Sequence, residues 1–102
     1  MPPDAPHRDK SQSLARAAEL FKVLGAPARL SILRELAQPR SVNELVEATG
    51  LSQPLVSQHL RILRGARAVS VTREGRTAIY ELLDRHIGHV IDDAISHVDE
   101  LP

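Results

Sequence analysis

The segment from Asp84 to Leu101 constrains this chain more than any other, because it predicts one long amphipathic C-terminal helix. Asp84 stands where a helix N-cap belongs. At about 100° per residue, the apolar residues fill one broad arc of the helix. A terminal helix with so wide an apolar face needs a partner, and we expect that partner to be a second copy of the chain. The arc comprises Ile87, Val90, Ile91, Ala94, Ile95, Val98 and Leu101.

A narrow polar arc beside it carries candidate metal ligands. His86 and His97 are eleven residues apart, which is about 16 Å along one helix and too far for them to share a metal ion within one chain. If two copies lie antiparallel across a two-fold axis near position 92, the contacts are reciprocal. His86 then faces His97 of the other copy, and Asp84 faces Glu100. Two imidazoles and two carboxylates suit tetrahedral zinc.

Two alternatives stay open for this helix. One is an ordinary solvated polar face on which Asp84 is only a cap, although the register of all four residues about one axis favours the metal site. The other concerns the metal, because cobalt and nickel often take more than four ligands and geometry decides between metals. Either His89 or His7 could add such a ligand.

Length and composition narrow the class of protein. The 102 residues contain no Cys, which excludes disulfides and thiolate metal sites, and no apolar run approaches the roughly 18 residues of a membrane span. Because the N-terminus lacks a signal-peptide core, we expect a cytoplasmic protein with no membrane association. Three prolines in residues 1–10 predict a disordered tail, and residues 11–102 form one domain.

The net charge is zero, but positive and negative residues are concentrated in different segments of the chain. Between Ser52 and Arg76 there are five arginines and one acid, whereas from Asp84 to the end of the chain there are five acids and one arginine. The first region suits phosphate and the second suits cations.

Four helices are predicted before position 66. The first spans Ser11 to Leu24, with Ser11 or Ser13 as cap, and the second runs from Pro27 to about Ala37. Ser41 and Glu44 form a capping box that opens the third helix, which Gly50 ends, and Ser52 caps the fourth. A helix, a tight turn containing glycine and a second helix predict a helix-turn-helix. The apolar face of the first helix comprises Leu14, Ala17, Ala18, Phe21 and Leu24.

The fourth helix has the pattern of a recognition helix. Its apolar arc comprises Leu55, Val56, Leu60, Ile62 and Leu63, and the opposite arc carries Gln, Ser and Arg, which can bind base edges and phosphates. His59 falls inside the apolar arc and is predicted to be a packed histidine. A solvated helix face is the alternative. The candidate base readers are Gln53, Ser57 and Gln58, and Arg61 and Arg64 are the candidates for contacts with the DNA backbone.

A β-hairpin is predicted next. Residues 69–72 alternate like a strand, Thr77 to Leu82 form a second strand, and the turn at residues 73–76 places Arg73 and Arg76 about Gly75. Such a tip can lie along phosphates or enter the minor groove, as a wing does. Solvated charge at a hairpin tip is the alternative.

This order of elements resembles the ArsR/SmtB family of winged-helix metal-sensing repressors. Residues 24–33 (LGAPARLSIL) and 52–63 (SQPLVSQHLRIL) are similar to its two most specific motifs. The zinc-sensing branch of this family has a similar ligand pattern to Asp84-x-His86 and His97-x-x-Glu100, which have ten residues between them. Residues 41–45 lack the Cys pair with which other branches bind thiophilic metals.

The resemblance implies a mostly α winged helix-turn-helix fold with a β-hairpin wing, assembled as a symmetric dimer. It also implies a repressor whose metal-free dimer binds an inverted-repeat operator in double-stranded DNA and is released by zinc or a similar divalent metal ion. The alternative is a repressor of the same fold with another effector or none. A winged helix used only for protein contacts is also open. A zinc hydrolase is disfavoured, because four protein ligands leave no coordination position for water.

Overall fold

A computed structural model of the chain describes residues 10–102. His7 and all but the last residue of the predicted tail lie outside the described residues. Helices and strands follow in the order α1 (Lys10–Leu24), α2 (Pro27–Glu35), β1 (Arg40–Ser41), α3 (Val42–Thr49), α4 (Gln53–Gly65), β2 (Val69–Glu74), β3 (Thr77–Leu82) and α5 (Arg85–Asp99). All five predicted helices are present. Because α1 begins at Lys10, that residue is not part of a tail, and Ser11 and Ser13 lie within the helix rather than at its cap.

The strands form a three-stranded antiparallel sheet in the order β1-β3-β2. β1 was not predicted, because two residues are too short to show an alternating pattern. It pairs with β3 through Ser41 and Ile79. The hairpin turn is tighter than predicted: the strands pair as far as Glu74 and Thr77. Only Gly75 and Arg76 remain to connect them, with Gly75 at φ 64°. A glycine in the first of two central positions is typical of a type II′ turn.

The core is built from Leu, Ile, Val and Ala, contributed by every helix and by β2. α5 packs on α2 and β3, and α2 packs on α3 and α4. The face of α5 that enters the core consists of Ile87 and Ile91, with Ile95 half-buried against them. The buried residues are Leu24, Ile32, Leu33, Leu36, Leu45, Val56, Leu60, Leu63, Ala68, Val69, Ile87 and Ile91.

Two predicted apolar faces are only partly buried. In α1, Leu14 is 73% and Phe21 58% exposed. The helix packs through Leu24, which was part of the predicted face, and through half-buried Leu20 and Val23, which were not. The apolar face of α1 is wider than the surface that the neighbouring helices cover, so the far edge of this face remains in solvent. In α4, Leu55 and Ile62 are likewise exposed, because the core covers only the side that bears Val56, Leu60 and Leu63.

Within residues 10–102, every helix is too short or too polar to cross a membrane.

Candidate nucleic-acid interface and metal centre

The first helix of the helix-turn-helix begins at the predicted capping box. The Ser41 N–H donates to Glu44 Oε1 at 2.8 Å, and the Glu44 N–H donates to Ser41 Oγ at 3.2 Å. The hydrogen bond from the Ser41 backbone, then that from its side chain and the charge of Arg40, lower the pKa of Glu44. Since β1 ends at Ser41, this cap also joins the helix-turn-helix to the sheet.

The turn between α3 and α4 is fixed by local hydrogen bonds. Gly50 has φ 75°, a left-handed conformation that favours glycine. The Thr49 hydroxyl donates to the Leu45 carbonyl at 2.7 Å and accepts the Leu51 N–H at 3.2 Å. Ser52 Oγ accepts the Leu55 N–H at 3.4 Å and caps α4. These bonds fix the turn from which α4 begins.

The outer face of α4 carries the candidate DNA contacts. Val56, Leu60 and Leu63 are no more than 1% exposed and hold the opposite face in the core. The five candidates on this helix are therefore displayed together on the surface of the domain. They are Gln53, Ser57, Gln58, Arg61 and Arg64, all of which are exposed.

His59 lies at the edge of the buried face of α4 and is half-buried. Its Nδ1 is 3.5 Å from a terminal nitrogen of Arg29. Arg29 Nε donates in turn to the Val23 carbonyl, in the last turn of α1, at 2.6 Å. His59 is thus a packed histidine, as predicted.

The β2–β3 hairpin carries the two wing arginines. Arg73 lies near the end of β2 rather than in the turn, whereas Arg76 is the second residue of the turn, and both are exposed. The structure brings the base of this wing close to α4. One cavity lies between α4 and the wing, and its lining residues are Ser57, Arg61, Arg64, Gly65 and Tyr80. Tyr80 was not among the predicted site residues, because its only signal in the sequence was an aromatic residue in a strand.

The four candidate metal ligands lie at the two ends of α5. Asp84 Oδ1 accepts the Ile87 N–H at 3.2 Å, so Asp84 is the N-cap, as predicted. The same oxygen lies 3.7 Å from His86 Nδ1. At the other end, His97 is in the last turn and Glu100 is the C-cap. All four side chains are exposed.

One protomer does not bring these two pairs together. In the part of the chain that the structure describes, no three His, Asp or Glu side chains cluster as metal ligands would. Each protomer therefore presents two separate pairs of candidate ligands, Asp84 with His86 and His97 with Glu100. Their chemistry, one imidazole and one carboxylate each, fits half of a tetrahedral zinc site.

Comparison with known proteins gives a consistent set of relatives. Residues 26–71 match the sequence profile of the bacterial regulatory protein, arsR family. The chain is 42% identical over 99 residues to the HTH-type transcriptional repressor SmtB of Mycobacterium tuberculosis (strain CDC 1551 / Oshkosh), which covers 96% of this chain and 73% of that protein. It is 40% identical over 92 residues to the HTH-type transcriptional regulator NmtR of M. tuberculosis (strain ATCC 25618 / H37Rv), covering 89% and 77%.

A solved structure shares the whole architecture. The solution structure of a fragment of Mb0332 from Mycobacterium bovis, described as a homodimeric winged helix-turn-helix DNA-binding domain, superposes with a TM-score of 0.82 at 29% identity. The match covers 95% of this chain and 92% of that one.

Proposed function

The chain belongs to the ArsR family of bacterial regulatory proteins, and on that premise we propose that it is a metal-responsive transcriptional repressor. Its metal-free homodimer binds an inverted-repeat operator in double-stranded DNA, and zinc bound between the two protomers releases it. One observation carries this proposal: α5 displays one imidazole and one carboxylate at each end. Each pair is therefore half of a four-ligand set, and the opposite pair of a second protomer would complete it. Binding to chromosomal DNA places the protein in the cytoplasm.

The exposed face of α4 supports the DNA-binding part of the proposal. In a symmetric dimer each α4 enters the major groove of one half-site, and its N-terminal turns reach the base edges. Gln53, Ser57 and Gln58 read bases there. Arg61 and Arg64 on the helix, with Arg73 and Arg76 on the wing, bind backbone phosphates.

Uncovered apolar side chains on both terminal helices support the homodimer. Exposed apolar surface of this kind marks an interaction site. A second copy would cover it and would bring the two α5 helices together, as the metal site requires. The exposed residues are Leu14 (73%) and Phe21 (58%) in α1, and Val90 (38%), Val98 (63%) and Leu101 (57%) in and after α5.

The donor set of α5 supports the metal. Asp84 and His86 of one protomer, with His97 and Glu100 of the other, would hold zinc, giving two sites per dimer. Bound zinc supplies a cross-link between the two helices, and four protein ligands leave no position for catalysis. The relatives are transcriptional regulators and not enzymes, which also argues against a hydrolase. If His89 added a ligand, cobalt or nickel would be favoured.

The packing of α5 gives a route from this cross-link to the DNA. Ile87 and Ile91 anchor α5 in the core. α5 packs on α2, and α2 packs on α4. Fixing the angle between the two α5 helices therefore fixes the angle between the two α4 helices. If the zinc-bound angle does not suit the operator, zinc weakens DNA binding, and DNA weakens zinc binding by the same factor.

The test is DNA binding with and without zinc, by fluorescence anisotropy on a duplex selected from random sequences. Zinc should weaken operator binding by the wild type by about 5- to 150-fold, the usual range of allosteric coupling. His97→Ala should bind the operator equally well with and without zinc. Ser96→Ala, an exposed neighbour on the same helix, should respond as the wild type does.

Two results would contradict the proposal. An equal response of all three proteins to zinc would show that α5 is not the sensor. No response of the wild type would leave a winged-helix repressor with another effector or none.

A further inference from the structure

The cavity between α4 and the wing has the chemistry of an anion site. It has a volume of about 500 Å³, and its lining residues are Ser57, Arg61, Arg64, Gly65 and Tyr80. None of these five is acidic. Two guanidinium groups and two hydroxyls can all donate hydrogen bonds, and guanidinium groups bind phosphate oxygens in a bidentate manner. Of these side chains, only Tyr80 comes from the sheet.

Tyr80 is held more firmly than the arginines. It lies on β3, the central strand, opposite Arg40 of β1 and Val71 of β2. Its side chain is partly buried against the core, whereas Arg61 and Arg64 are exposed on α4. A hydroxyl on a fixed aromatic ring is a preorganised donor, and the flexible guanidinium groups can adjust around it.

The position of the cavity favours a phosphate of the DNA backbone as the anion. In B-DNA the major and minor grooves are separated by a sugar-phosphate strand. With α4 in the major groove and the wing at the adjacent minor groove, that strand must pass between the two elements. The cavity opens in the same place, between α4 and the base of the wing.

We propose that this cavity binds a single backbone phosphate of the operator, with the Tyr80 hydroxyl and the Arg61 and Arg64 guanidinium groups as donors. Tyr80 is then a DNA-binding residue that positions the wing relative to α4 on the duplex. This inference rests on the proposed DNA-binding function. Free phosphate shares the same chemistry, so the test must separate the two sources.

The experiment combines protein variants with neutral methylphosphonate substitutions, placed one at a time along the operator backbone. The wild type should lose affinity at each phosphate that it contacts, and one of these in each half-site should be the phosphate held in this cavity. Tyr80→Phe removes only the hydroxyl, and Arg64→Gln removes the charge. Both variants should be much less sensitive than the wild type to substitution at that phosphate. Arg76→Gln, at the tip of the same hairpin, should keep the sensitivity there.

Salt dependence separates the two kinds of donor. Tyr80→Phe should weaken binding to operator and to unrelated DNA alike, by about tenfold for a hydrogen bond to a charged group. The slope of log K against log salt should not change, because the protein keeps all its charges. Arg64→Gln should reduce that slope by about 0.9 for each phosphate that the protein no longer neutralises.

Three results would overturn the inference. If Tyr80→Phe binds DNA as tightly as the wild type, or keeps the full methylphosphonate profile, Tyr80 does not contact a phosphate of the DNA, and the repressor proposal is unaffected. If, in addition, inorganic phosphate measured by calorimetry binds the wild type but not Tyr80→Phe, the ligand of the cavity is a free anion. If the wild type binds no duplex at all, the proposed function fails as well.

Discussion

Oδ1 of Asp84 lies 3.7 Å from Nδ1 of His86, and the same oxygen caps α5 by accepting the Ile87 N–H. The cap therefore holds a carboxylate beside an imidazole that is 92% exposed. One half of the proposed zinc site is arranged by the start of the helix itself. Because substituting Asp84 would also remove the cap, variants of the two histidines are the cleaner probes of metal binding.

Gln58 is predicted to read one base pair. Gln58→Ala should reduce discrimination at a single operator position by about 1–3 kcal/mol, because the amide can no longer bind a base edge. The measurement is the affinity for duplexes carrying each of the four base pairs at every position. Gln38→Ala, an exposed glutamine between α2 and β1, should leave discrimination unchanged. An equal loss of affinity for all sequences would rule out base reading by Gln58.

Arg76 is predicted to bind a phosphate through the wing. Arg76→Ala should weaken binding to all sequences alike and reduce the salt slope by up to about one unit, since one fewer counterion is released. Titrations of operator and random duplex over a range of salt concentrations measure both effects. A change in sequence preference would show that the wing reads bases.

Phe21 is predicted to lie in the dimer interface. It is 58% exposed in the protomer, so Phe21→Glu should leave the fold intact and produce a monomer, because a carboxylate would be buried between the copies. Sedimentation velocity gives the mass, and circular dichroism checks the fold. Lys22→Glu, at an exposed neighbouring position, should remain dimeric. A Phe21→Glu protein that dimerises as the wild type does would place the interface elsewhere.

Glu44 makes stability depend on pH. Its pKa is lowered in the folded state by the hydrogen bonds from Ser41. The carboxylate therefore stabilises the fold at pH values above its ordinary pKa, and this contribution is lost as the pH falls through the folded value. Glu44→Gln should lower the melting temperature at neutral pH, and the difference from wild type should shrink and vanish on acidification.

Thermal unfolding followed by circular dichroism at several pH values measures this effect. Glu47→Gln, on the same helix but outside the capping box, is the control for loss of a charge. A difference between wild type and Glu44→Gln that stays constant down to about pH 3 would exclude the capping carboxylate as its source.

Local chemistry made both ends of α3 and the starts of α4 and α5 predictable, although not the start of α1. Each capping residue predicted for these helices accepts or donates the expected hydrogen bond, and Gly50 has the left-handed conformation. The capping residues are Ser41 and Glu44, Ser52, and Asp84. Their function depends on residues only a few positions away in sequence. The family resemblance and the order of elements then gave the winged-helix fold.

Features that depend on tertiary packing were not predictable in the same way. The helical wheel placed Phe21 on the apolar face of α1, but only the placement of the neighbouring helices shows that its side chain is exposed. β1 exists because β3 offers it a partner, and Tyr80 lines a cavity because α4 packs beside the hairpin. The pairing of His86 with His97 of a second copy depends on a further level of assembly and stays a prediction.

Zinc binding by a mixed dimer tests the shared site most directly. His86→Ala and His97→Ala homodimers should each fail to bind zinc tightly, since both sites of each dimer lack one imidazole. In a heterodimer of the two variants, one site lacks both histidines and the other keeps all four ligands. Calorimetry on the heterodimer, isolated with two different affinity tags, should therefore recover one tight zinc ion per dimer. Recovery of none would contradict a site shared between protomers.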